Sequence, residues 1–215
     1  MGTKLNNETN SEGNNKLVLI SIFFLFLCLT SCIAEQPANV TTYINLLDKI
    51  KDFLAFSCFI LDNSSNYYGQ VISRIYYAYY TLARIININK TEYDNSYGGS
   101  HEHIWNNIKN KTISTKYGNE LKWKRCKYDY DDIRINNNTD IIKDFEFIKQ
   151  NESLFNEEIN MIQKTLEDNP NLTNDDDNII KNKLQEIQDT HIQMIEKINN
   201  KITESKLKKR ETKGA

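Results

Sequence analysis

Apolar residues recur at intervals of three and four through most of the chain from Asn39 onward, and that period restricts it to helices. In residues 39–61 it is carried by Ile44, Leu47, Ile50, Leu54 and Cys58, with Asn39 or Thr41 as the cap. Further helices are expected over residues 69–88, 117–130 and 140–166, separated by polar breaks at 63–66, 89–100 and 136–139. A short helix is expected to begin at Ser100. Asn169-Pro170 ends the helix before it, and 174–178 reads as an acidic loop. The last segment, 179–207, spaces Ile180, Leu184, Ile187, His191, Met194 and Ile198 by four and three. This seam predicts packing onto the main domain or onto a second copy, with His191 as a half-buried spacer. Seven Gly and two Pro in 215 residues are too few for a sandwich or barrel, whose turns recur roughly every 8–12 residues. The fold class is therefore all-α.

Residues 1–35 form a separate device. The run LVLISIFFLFLCL at 17–29 is almost uniformly apolar, short for a membrane span and of the length of a signal-peptide core. The run Leu29-Thr30-Ser31-Cys32 after it resembles the lipobox of bacterial lipoproteins. That resemblance implies lipidation at Cys32 and a domain anchored outside the cytoplasm. The leader departs from the pattern: it is long, and Lys4 and Lys16 are balanced by Glu8 and Glu12. The second reading is an uncleaved anchor running to Ala34, with the domain on the cytoplasmic face. The organisation expected is thus a targeting segment (1–35), a helical domain (36–170) and a C-terminal amphipathic helix with a basic tail (171–215).

Net charge is −2 and the pI about 6.0, so no overall basic field argues for nucleic acid. The terminal cluster of Lys206, Lys208, Lys209, Arg210 and Lys213 reads first as a solvated tail, with attraction to a membrane surface or RNA as its rival. Cys58 and Cys126 have no metal-ligand spacing and read as buried thiols; a disulfide between them requires export. His101 and His103, two apart at a helix start, point in different directions, and three histidines make no zinc site unaided. No Gly-rich phosphate loop, Ser-His-Asp set or Cys-pair signature is present, so neither a metal nor a cofactor is expected.

The helix at 69–88 carries the most unusual pattern, ISRIYYAYYTLARII. Ser73, Tyr77, Tyr80 and Arg84 share one stripe, Arg74 flanks it, and Ile72, Ile75, Tyr79, Leu82 and Ile86 form an opposed apolar surface. Such a helix belongs at the centre of a bundle, with tyrosine hydroxyls bonded at the edge of the core.

Together, SRIYYAYYTLARI, SHEHIW and RCKYDYDD closely resemble the HEPN domain in its branch with YYA-type and R-x-x-A-D-Y-type signatures. The resemblance covers about residues 39–166. It implies an antiparallel up-and-down helical bundle, here with an extra C-terminal helix, that dimerises. In active HEPN ribonucleases an Arg followed by a His builds a metal-independent RNA-cleaving cleft between protomers. Arg125 matches that Arg, and Asp129 and Tyr130 match the Asp-Tyr, so Arg125, Asp129 and Tyr130 are the catalytic candidates. Tyr130 stands where an active member has His, and a phenol titrating at about 10 is a poor base at neutral pH. Tyr128 replaces a small Ala. Arg74 and Tyr77 match the wall beside the Arg; with Arg84 and Arg125 they are the phosphate-binding candidates. Two expectations follow for the stripe: a structural network around an Arg125–Asp129 pair, or presentation of Arg74 and Arg125 to phosphate. The resemblance implies binding of RNA or a nucleotide, or of a partner protein, with cleavage weakened or absent. The lipobox implies instead an exported lipoprotein using the bundle to bind a protein or a surface.

Overall fold

The structure, a computed structural model, describes residues 40–63, 67–88, 104, 115–129, 138–167 and 173–214. Six helices make up these residues, with no strand among them: α1 (Val40–Asn63), α2 (Tyr68–Ile88), α3 (Thr115–Asp129), α4 (Asn138–Gln150), α5 (Glu152–Glu167) and α6 (Asn174–Gly214). All lie within one compact unit, Pro37–Ala215. Cys32 and the apolar run, His101, His103 and Tyr130 lie outside the described residues.

The core forms around α2, which packs against α1, α3, α4 and α5. Ile72, Ile75, Tyr79, Leu82 and Ile86 are buried as the period requires, and so are Val71, Tyr76 and Ala78 on other sides. A helix apolar on several sides is stable only when surrounded.

Polar pairs fix the directions. Ser73 meets Asp129 and Tyr77 meets Arg125, so α2 and α3 run antiparallel. Lys124 meets Asp144 and Lys127 meets Asp140, which sets α4 antiparallel to α3. Lys149 reaches Asn199 and Lys206 reaches Glu146, so α6 opposes α4. Between α1 and α6, Asp48–Lys183, Lys51–Glu186 and Asp62–Lys197 each join residues 135 positions apart. A constant offset means parallel helices. The result is an up-and-down bundle in which α6 lies alongside α1 as a full member.

The seam of α6 is buried as its spacing predicts, from Ile180 through Leu184, Ile187, Met194 and Ile198 to Ile202. Four expectations need correction. His191 is 2 % exposed, a core residue and not a half-buried spacer, with its ring stacked on Phe155 at 4.0 Å. Cys58 and Cys126 are free but only half-buried, because each lies at the margin of its helix's packed face.

The expected helix over 140–166 is two helices. At the break the Asn151 amide donates to Phe147 O (2.8 Å), taking up a carbonyl at the end of α4, while Asn151 O accepts from Leu154 N (3.1 Å) to open α5. The acidic loop, finally, is the first turn of α6. Thr173 Oγ1 accepts from Asp176 N (3.2 Å), and the Asp176 carboxylate accepts from Thr173 N (3.1 Å), a reciprocal cap. The Thr173 hydroxyl, which also donates to Asp176 Oδ2 (2.6 Å), and then the Thr173 N–H lower the Asp176 pKa, and Asp175, Asp176 and Asp177 complement the helix dipole.

Candidate functional site

The sequence of α3 is too polar to dock by apolar burial; Tyr117 and Leu121 are its fully buried apolar side chains, and Trp123 points outward, 74 % exposed. Polar ties on two sides hold it. Toward α2, Arg125 and Asp129 occupy positions i and i+4 and face Ser73 and Tyr77, also i and i+4. Arg125 Nε donates to Asp129 Oδ2 (2.7 Å), Arg125 Nη2 donates to Tyr77 Oη (2.7 Å), and Ser73 Oγ donates to Asp129 Oδ1 (2.6 Å). The order Arg before Asp is the weaker one within a helix, so the quartet gains its stability from the contact between helices.

Arg125 is 7 % exposed, and its guanidinium lies over the rings of Tyr77 (5.0 Å) and Tyr76 (5.7 Å). Both Asp129 oxygens accept short charge-assisted bonds, the arrangement that makes a buried ion pair tolerable. Arg74 is buried in an aromatic box, its guanidinium 5.7 Å from Phe56 and 6.0 Å from both Phe53 and Tyr77. Tyr77 is therefore flanked by two guanidiniums. Arg84 is half-buried seven residues beyond Tyr77, about 10 Å further along the helix.

Toward α4, Lys124 and Tyr128 converge on Asp144. Lys124 Nζ is 2.7 Å from Asp144 Oδ1, and Tyr128 Oη donates to Asp144 Oδ2. Burial pulls the Lys124 pKa down, but bonds and charges from Asp144 and Glu120 outweigh it and raise the value. Burial, reinforced by Asp144, pushes the Tyr128 phenol well up, so it remains a donor. The ring of Tyr128 fits because Gly69 faces it: a Cβ there would lie 2.6 Å from Tyr128 Cδ1. The large ring of Tyr128 is thus matched by a missing side chain opposite.

The sequence-predicted stripe therefore meets Arg125 and Asp129 through Ser73 and Tyr77, with Arg74 adjoining. Sequence reasoning missed Asp144, Lys124 and Gly69. The signal for the first two was the i, i+4 pairing of Lys124 with Tyr128 on the face away from Arg125. It also missed Glu158 on α5, which is fully buried with neither carboxyl oxygen hydrogen-bonded. Burial, with a smaller contribution from Glu157, raises its pKa to about 8. His191 Nε2 is likewise without a partner, and burial lowers that pKa to about 4. Among the described residues no group of His, Cys, Asp and Glu is placed to hold a metal ion, and no helix is long and apolar enough to cross a membrane. Comparison with protein-family models, curated proteins and solved structures gives no match to this chain.

Proposed function

We propose that the chain is a HEPN-like helical bundle held at a membrane by its amino-terminal segment, with a degenerate ribonuclease centre, and that it acts by binding. The observation that carries this reading is the occupancy of Arg125. Its Nε and Nη2 are bonded to Asp129 and Tyr77 within the same chain, so a phosphate would have to displace a carboxylate already in place. Tyr130, at the position of the catalytic His, supplies no base near neutral pH.

What such a bundle binds is a partner protein, a second copy of itself, or RNA or a nucleotide. The exposed Trp123 favours protein, because an indole presented on a helix face is the residue type most enriched at interface anchors. A second reading, an exported lipoprotein that binds a protein or surface partner, is favoured by Leu29-Thr30-Ser31-Cys32.

The test of the first reading is incubation of the purified chain with single-stranded RNA. No cleavage above buffer is expected, and Tyr130→His should raise cleavage above that baseline. Efficient cleavage by the unaltered chain, lost in a folded Arg125→Gln variant, would overturn the reading. The mass of the chain recovered from membranes separates the lipoprotein from an uncleaved anchor, because lipidation at Cys32 removes the residues before it.

A further inference from the structure

The last two turns of α6 differ from everything before them. Ile202 is its final buried residue, and every residue from Lys206 to Thr212 is exposed. Seven consecutive residues cover all sides of a helix, so here α6 has no packed face, and Lys206 meets the bundle only as an ion pair with Glu146. Two turns of helix are not stable alone; this piece persists as the continuation of a helix anchored elsewhere.

Its charge is not that of a neutral spacer. Lys206, Lys209 and Arg210 share one face at i, i+3 and i+4, the sequence repeats the spacing at Lys213, and Lys208 adds charge on another side. Like charges at these spacings destabilise a helix. Lys206 is compensated by Glu146 at 2.7 Å, whereas Lys208, Lys209 and Arg210 meet no carboxylate among the described residues. Glu211 is the sole acid from 206 to 213, so this stretch carries a net +4 in a chain whose total is −2. Favourable interaction with the helix dipole accounts for one or two such residues in the last turn, not for five over two turns.

We infer that the basic end of α6 docks on an anionic lipid surface through Lys208, Lys209 and Arg210. This rests on the membrane attachment proposed above. A polybasic segment held close to an anionic bilayer is attracted to it, and the attraction falls off within a Debye length. The headgroup phosphates supply the charge that the exposed face lacks. RNA would satisfy the same cations, but the apolar run at 17–29 brings a bilayer, not a nucleic acid, within reach of this chain.

The experiment compares the full chain on neutral phosphatidylcholine vesicles and on vesicles that also contain phosphatidylglycerol, by co-sedimentation at low and high salt. Each basic residue near an anionic surface contributes roughly fivefold in affinity. Lys208→Gln, Lys209→Gln and Arg210→Gln together should then reduce the preference for anionic vesicles by on the order of 100-fold, with neutral binding unchanged. Gln keeps helix propensity and none of the three is packed, so unchanged circular dichroism checks the fold. Equal binding of the unaltered chain to both vesicles, or an undiminished preference in the triple variant, overturns the proposal. Loss of RNA binding in the triple variant with its vesicle preference intact also overturns it and makes RNA the occupant. An anionic preference without any neutral binding refutes the membrane anchor and leaves the docking face standing.

Discussion

Asp129 and Glu158 are both carboxylates inside the same bundle, and their surroundings differ in one respect. Asp129 meets a guanidinium and a hydroxyl, so each of its oxygens has a donor. Glu158 is more deeply buried and has none. Donors replace the water that Asp129 lost; Glu158 has none, and burial makes it hold its proton to about pH 8. His191, stacked on Phe155, follows the same rule from the other side and stays neutral down to about pH 4. Burial alone therefore does not decide whether a group is charged. Pairing does, and here pairing is concentrated around α3, the helix with too little apolar surface to dock otherwise.

The contrast predicts opposite responses to mutation. Arg125→Ala leaves the half-buried Asp129 beside Ser73 without its counter-charge, and should cost about 3 kcal/mol in chemical denaturation. Replacing the pair together, as Arg125→Met with Asp129→Leu, should recover most of that loss, since the stranded charge and not the missing contact dominates it. A single substitution that costs less than about 1 kcal/mol would mean that Asp129 is already hydrated, and the two regions would no longer differ in kind.

On the unpaired side the expected signature is a pH profile. Glu158 has its pKa raised from 4.5 to about 8, so the folded chain keeps a proton that the unfolded chain releases. Its contribution is complete below pH 4.5 and is lost as pH rises toward 8. His191 has its pKa lowered from 6.5 to about 4, so it contributes a loss as pH falls from 6.5 toward 4. Between 4.5 and 6.5 the two slopes oppose each other and nearly cancel. From 6.5 to 8 Glu158 acts alone, and stability should fall by about 2 kcal/mol at 1.4 kcal/mol per pH unit. Glu158→Gln should abolish that fall and leave stability near pH 5 unchanged. A decline over the same range that survives in the Gln variant would place its origin elsewhere.

How far these features were legible depends on what each rests upon. Periodicity gave the α6 seam and the apolar side of α2 because burial along a helix repeats every 3.6 residues. That the stripe would face Arg125 and Asp129 was expected from the HEPN resemblance; the matching i, i+4 spacings of Ser73 with Tyr77 and of Arg125 with Asp129 are what let the two antiparallel helices meet there. The Asn151 break was not, since a one-residue interruption leaves Ile148, Phe155, Ile159 and Ile162 close to the helical spacing on both sides of it. Thr173 and Asp176 carried a capping signal, T-x-x-D, hidden within an acidic run that reads as loop. Glu158 follows Glu157 in a sequence that looks solvent-facing, and its burial is decided by tertiary packing. Tyr128 against Gly69 is legible only once α2 and α3 are placed side by side.

That last contact gives the smallest predicted effect, and it sharpens the contrast because it lies on the paired side. Within a helix Gly→Ala ordinarily stabilises by about 1 kcal/mol. At Gly69 the added methyl would meet Tyr128 Cδ1 at 2.6 Å, Cγ at 3.0 Å and Cβ at 3.2 Å. These are the ring's near edge and its root, not a movable tip, and the hydroxyl is held by Asp144. Overpacking of this kind costs about 1–3 kcal/mol, so Gly69→Ala should be net destabilising by about 1 kcal/mol. Tyr128→Ala relieves the clash while removing a donor from Asp144, so alone it should also destabilise. Combined, the two should cost less than the sum of the single losses, a coupling of about 1 kcal/mol in a double-mutant cycle. Strict additivity would mean that Tyr128 moves aside freely, and that its bond to Asp144 does not tie α3 to α4.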